Sequence, residues 1–105
     1  MGSAFSYVII MYVYHLRPYH KLKARQLGVI IRPSTKSPFK IDVFSRDTGE
    51  FITSIGDRKY KDFIMYAEED GYDVAERRQS LYHKRHKKDS QVEGSRGFYA
   101  ANILW

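Results

Sequence analysis

The stretch from Val29 to Ile55 constrains the fold most. Phe39-Lys40-Ile41-Asp42-Val43 alternates apolar and polar residues, the two-residue period of a half-buried strand. Ahead of it, Val29-Ile30-Ile31-Arg32 is a β-branched run stopped by Pro33, and Ser34–Pro38 is a polar loop. Behind it, Arg46-Asp47-Thr48-Gly49 is a turn signal, with Gly49 placed to take the left-handed conformation of a short hairpin loop. Phe51–Ile55 reads as the return strand. Three strands joined by two short loops predict an antiparallel meander, closed by Gly56.

After Gly56 the period lengthens. Asp57 is placed to cap a helix through about Glu69, with Tyr60, Phe63 and Ala67 on one stripe. Gly71 ends that helix. A second helix spans about Val74 to Lys87, with Asp73 as N-cap and Glu76 as the acidic half of a capping box. Its expected apolar stripe is Val74, Leu81 and Tyr82, with the alkyl stem of Arg78 between. The expectation for residues 27–105 is a single α+β domain: a small antiparallel three-stranded sheet packed by two helices. Asp89–Arg96 reads as a polar linker. Phe98–Trp105 reads as an apolar latch that docks on the sheet or on a partner.

Residues 1–26 read as an N-terminal extension. Its apolar run, Tyr7–Tyr14, is eight residues long and suits a strand or packed arm. A membrane-spanning helix needs roughly 20 residues, and a secretory signal carries its positive charge before the apolar run, whereas here it follows. No membrane span is expected. Pro18 opens a short basic helix, Tyr19 to Gln26, that ends near Gly28. The chain has no cysteine, which excludes a disulfide framework and thiolate metal sites. A cytosolic or nuclear setting is the natural reading of that composition. Packing or a partner must hold the chain, and nine Tyr, six Phe and one Trp supply large apolar surfaces, many with polar tips.

Charge is segregated. Residues 1–41 hold seven Lys/Arg and no acid, residues 42–73 nine acids and four bases, and residues 74–105 seven bases and three acids. Two basic ends therefore flank an acidic middle, which suits a polyanion, an acidic protein surface or self-association. The densest feature is Arg77-Arg78-Gln79-Ser80-Leu81-Tyr82-His83-Lys84-Arg85-His86-Lys87-Lys88, with six Lys/Arg and two His in twelve residues. On a helix Arg77, Lys84, Arg85 and Lys88 fall mainly opposite Leu81 and form a basic stripe. Such a stripe binds phosphates or an acidic partner, or is a solvated face complementing the helix dipole. Arg78 and Lys87 extend it. At the other end Arg17, Lys21, Lys23 and Arg25 interleave with Tyr12, Tyr14 and Tyr19, a pattern for base stacking or for an amphipathic interface.

Other constellations are weaker. His83 and His86 lie one helical turn apart, but the positive surroundings oppose a cation, so no metal and no cofactor are expected. Asp57, Asp62, Glu68, Glu69, Asp70 and Asp73 form an acidic belt expected to meet basic residues of the same fold or of a neighbour. No Ser-His-Asp arrangement, phosphate loop or dinucleotide fingerprint is present, so neither a catalytic residue nor a small-molecule substrate is assigned.

From Val29 to Trp105 the sequence resembles a family of small uncharacterised proteins of large eukaryotic DNA viruses, of the giant-virus and algal-virus kind. The resemblance is carried by Ile31-Arg32-Pro33-Ser34, Phe39-Lys40-Ile41-Asp42-Val43, Ser54-Ile55-Gly56-Asp57 and Tyr60-Lys61-Asp62-Phe63. It continues through Arg77-Arg78, Tyr82, Arg85-His86-Lys87-Lys88, Gly94-Ser95, Gly97-Phe98-Tyr99-Ala100 and Leu104-Trp105. It implies a viral setting, in the virion or in the cytoplasm or nucleus of an infected cell, and supplies no activity or site residue.

Three expectations follow. The first is a non-enzymatic minor virion protein that cements capsid subunits or copies of itself, with Tyr7, Tyr12, Tyr14, Phe98, Tyr99, Leu104 and Trp105 at the protein interface. The second is a nucleic-acid-binding accessory protein using Arg77, Arg78, Lys84, Arg85, Lys87 and Lys88, together with Arg17, Lys21, Lys23 and Arg25. The third is a nuclease using His83, His86 and nearby carboxylates.

Overall fold

A computed structural model describes residues 12–105. Tyr7 and most of the expected strand Tyr7–Tyr14 lie outside the described residues. Residues 12–17 carry neither helix nor strand, so the described part of that run, Tyr12–Tyr14, is not the strand expected.

The meander forms as its sequence periods dictate. Strands β1 (Val29–Pro33), β2 (Phe39–Ser45) and β3 (Phe51–Asp57) make an antiparallel sheet in the order β1-β2-β3. Ile31 faces Val43 and Ile41 faces Ile55 across the ladders, which brings the apolar positions into register. The β2–β3 hairpin closes where Ser45 donates its N–H to Glu50 O at 2.8 Å, and Gly49 takes a φ of 77°. Gly56 does not end the meander: it lies within β3 at a φ of 79°. A Cβ there would sit 2.7 Å from the Leu104 side chain and 3.1 Å from that of Lys40. Glycine is therefore needed for both its dihedral and its bareness.

Four α-helices accompany the sheet: α1 (Pro18–Gln26), α2 (Phe63–Asp70), α3 (Tyr72–Arg85) and the short α4 (Arg96–Tyr99). The fold is α+β as expected: α1 is the expected short basic helix, α2 and α3 are the two packing helices, and the short α4 begins in the segment expected to be linker. α4 runs directly into a π-helical turn, Ala100–Leu104. The expected linker is partly ordered, as a 3-10 turn at Asp89–Gln91. Gly97 permits a close approach there, since a Cβ on it would lie 2.9 Å from the Asp89 carbonyl oxygen.

The core comprises Tyr14, Ala24, Val29, Ile41, Val43, Ile55, Tyr99, Ile103 and Leu104. One expectation is corrected by this, and one left open between two alternatives is decided. Residues 14–26 are not an extension to a domain at 27–105, because Tyr14, His20 and Ala24 are buried with the rest of the core. The apolar latch docks on this chain's own sheet, because Ile103 and Leu104 complete that core.

The helix starts also differ from expectation. Asp62, not Asp57, caps α2: its Oδ1 accepts the Met65 N–H at 3.1 Å, while Asp57 Oδ1 accepts from Lys59 N–H in a local turn. Tyr60 therefore lies outside the helix and is 67% exposed. Gly71, not Asp73, precedes α3. On α3 the fully buried side chain is Ala75, while Leu81 is exposed. What holds the far end of α3 is aromatic stacking, because Tyr82 lies 4.6 Å from Trp105 at an interplanar angle of 10°.

Candidate functional site

A buried polar network joins the segment before α1 to β2 and α2. Lys40 and Asp62 are almost fully buried, and their Nζ–Oδ2 separation is 3.0 Å. The same Oδ2 accepts the Tyr14 hydroxyl, and Lys40 Nζ also donates to the Tyr60 carbonyl. Tyr14 Oη lies 3.4 Å from His20 Nε2, and His20 Nδ1 accepts the Arg17 N–H at 3.1 Å. Because Nδ1 is an acceptor, the imidazole is neutral with its proton on Nε2. Burial, opposed by Asp62 and reinforced by Arg17 and Lys40, brings the His20 pKa down to about 4. Burial and then the Asp62 carboxylate push the Tyr14 phenol well above its ordinary range, so it stays a donor. Among the described residues no buried side-chain nitrogen or oxygen lacks a partner. The network is closed on itself and positions α2 and the turn before it.

Beside this network lies a cleft of about 700 Å3 between β3, the α2–α3 hairpin and the C-terminal turns. Its wall is aromatic. His86, Tyr82 and Trp105 form a continuous stack, with His86 4.3 Å from Tyr82, and Tyr66 leans on Trp105 at 6.1 Å. The Trp105 main-chain oxygen accepts from Gln79 at 2.6 Å and from Tyr19 at 3.1 Å, which fixes the indole between α1 and α3. Its rim carries both signs, since Asp57 and Asp89 line it along with the cations. Arg78 and Lys61 approach the Tyr66 ring at 5.2 and 5.3 Å, Arg96 lies 4.6 Å over Phe39, and Arg85 also lines the opening. Arg96 Nε donates to Ser54 O at 2.9 Å, so this arginine is held in place.

The expected site residues divide. Arg77, Arg78, Lys84, Arg85, Lys87 and Lys88 are all exposed on α3 or just after it, and none is within 4.0 Å of a carboxylate among the described residues. The acidic belt does meet bases of the same fold, but other ones: Glu68 pairs with Arg17 at 2.7 Å, and Glu69 and Asp70 with Lys61 at 3.2 and 3.0 Å. Arg17 is thereby engaged within the fold, while Lys21 and Arg25 stay exposed on α1. Lys23 lies 5.0 Å over the Tyr19 ring and its burial lowers its pKa. None of the four α1-side bases lines the cleft.

Of the expected protein-interface residues, Tyr14, Tyr99 and Leu104 are buried in this chain's own core, packed with Ile41, Val43 and Ile55 of the sheet. Phe98 and Trp105 are half-buried, and Tyr12 is exposed beneath the Arg58 guanidinium at 4.3 Å. His86 faces Asp89 at 3.2 Å. Among the described residues no group of three or more His, Asp or Glu is placed to hold a metal ion, and no helix is long and apolar enough to cross a membrane.

The sequence reading missed Tyr60, Lys61, Tyr66 and Arg96 as cleft residues. They come from a turn, a helix and a segment read as linker, and no local period links them. No protein-family model matches this chain, and no curated protein or solved structure matches it either. The viral resemblance therefore rests on the residues quoted for it.

Proposed function

We propose that this chain is a non-enzymatic nucleic-acid-binding protein whose contact surface is the outer face of α3 and the residues after it. The observation that carries this reading is the set of exposed cations at Arg77, Lys84, Arg85, Lys87 and Lys88 with no carboxylate within 4.0 Å among the described residues. Three acids of the middle segment are engaged elsewhere, Glu68 with Arg17 and Glu69 and Asp70 with Lys61. Concentrated cations on a helix and the turn that follows it bind a phosphate backbone by releasing its condensed counterions. The strongest titratable cluster, around Asp62, supports a binding rather than a catalytic role. Its groups are buried and mutually satisfied, so they hold structure instead of meeting a substrate.

The capsid-cementing role keeps narrower support, since three of its seven interface residues lie inside the fold. Of its described residues, Tyr12, Phe98 and Trp105 remain outside the core, and exposed Phe51 and Ile30 on the sheet add apolar surface. The viral resemblance would supply the setting for either role.

The test is binding to labelled DNA by fluorescence anisotropy across a salt series, beside a variant with Arg77, Lys84, Arg85, Lys87 and Lys88 changed to Gln. The expected result is affinity that falls steeply with salt, and a slope that drops by roughly one unit for each phosphate contact removed. An unchanged affinity and slope in the variant would overturn the assignment of this face.

A further inference from the structure

We infer that the cleft beside α3 takes an unpaired base, so that the ligand is single-stranded nucleic acid rather than duplex. The inference rests on the nucleic-acid reading above and adds to it a second contact of different chemistry. Phosphate binding alone needs only the exposed cations of α3. It gives no role to an aromatic-walled cleft opening beside them.

Three features fit that cleft to a base. Its volume of about 700 Å3 falls in the roughly 300–1,000 Å3 range of sites that enclose small planar ligands. The wall carries the pre-stacked rings of Tyr82 and Trp105, fixed through the Trp105 main-chain oxygen. At the mouth stands Tyr60, and its geometry is the most specific observation. The Tyr60 N–H donates to Asp57 O at 3.1 Å, and its carbonyl accepts from the buried Lys40 ammonium. The backbone is held at both polar groups, yet the ring is 67% exposed. A large ring presented to solvent from an anchored turn offers an open face on which a base can stack. Arg78 and Arg85 at the rim lie on the same helix as the phosphate-binding stripe, so a strand tracking α3 brings its bases to the cleft. Duplex DNA presents stacked, paired bases and cannot insert one without an unpairing cost of a few kcal/mol.

Trp105 is the only tryptophan, so its fluorescence reports on the cleft wall alone. The experiment titrates the intact protein with a twelve-residue oligothymidylate and with a twelve-base-pair duplex at matched salt. Anisotropy of labelled DNA and Trp105 emission are read together, for the natural chain and for Tyr60→Ala. Tyr60 is 67% exposed and lies outside the core, so this variant is expected to fold. The inference expects tighter binding of the oligothymidylate, with Trp105 emission changing along the same isotherm. It also expects about tenfold weaker oligothymidylate binding by Tyr60→Ala, with duplex binding within twofold. Equal binding of both DNAs with silent Trp105 emission and no effect of Tyr60→Ala overturns the cleft inference and leaves the α3 reading intact. No binding of either DNA overturns both.

Discussion

Acidification acts on one buried imidazole in a way that can be worked out from its contacts. His20 is fully buried, its Nδ1 accepts the Arg17 N–H, and its Nε2 faces Tyr14. A second proton would have to sit on Nδ1, pointing at a donor, with Lys40 and Arg17 nearby, and Asp62 only partly offsets them. The folded-state pKa is about 4 against an ordinary 6.5. Because the folded value is lowered for a base, the unfolded chain binds the proton first as pH falls. The resulting stability is therefore complete above the unfolded value and is lost between about 6.5 and about 4. The slope approaches 1.4 kcal/mol per pH unit, and the loss from about pH 7 to about pH 4.5 is roughly 2.5 kcal/mol. Carboxylates elsewhere also titrate in this window, so the measurement is a difference. Urea unfolding of the natural chain and of His20→Gln is compared at a series of pH values. Glutamine can accept from Arg17 and donate toward Tyr14 but does not titrate. The variant is expected to be about 1–2 kcal/mol less stable near neutrality, from imperfect filling of the ring's space. That deficit is expected to vanish or reverse near pH 4.5. Two curves that stay parallel to within about 0.5 kcal/mol over the whole range would refute the account of His20 as a neutral, acid-sensitive member of the network.

Two further expectations concern the frame that holds the cleft. Gly56→Ala places a methyl 2.7 Å from the Leu104 side chain at a backbone φ of 79°, and is expected to cost about 2–4 kcal/mol in chemical denaturation. A loss under 1 kcal/mol would mean the latch is not seated on β3 as described. Asp62→Asn leaves the Lys40 ammonium buried without its counter-charge, with an expected loss of about 3–5 kcal/mol. Recovery of at least part of that loss in the Lys40→Met, Asp62→Asn double variant would confirm that the unpaired charge is the cause, and no recovery would rule it out.

The sheet was legible in the sequence for a local reason. Alternation in β2, the β-branched run of β1 and the Gly49 turn each encode their conformation within a few residues. Strand order follows when consecutive strands are joined by short loops. The exposed basic run on α3 was legible for the same reason, since six Lys/Arg within the twelve residues 77–88 are visible in the chain itself. The choice between Asp57 and Asp62 as a cap was not. Each aspartate is followed by residues that tolerate a helix, and what selects Asp62 is a lysine 22 residues earlier and a tyrosine 48 residues earlier.

The cleft was illegible for a related reason. Tyr60, Tyr82, Arg96 and Trp105 share no period, and nothing in the sequence brings a turn, a helix and the C-terminal segment around one opening. The same holds for Tyr14, Tyr99 and Leu104, whose composition suits an interface with another protein equally well. Side-chain type and spacing state that these groups must leave water. They do not state against what. That choice was made by the sheet, whose Ile41, Val43 and Ile55 required cover that the chain's own ends supply, which left the cations of α3 and the ring of Tyr60 facing outward.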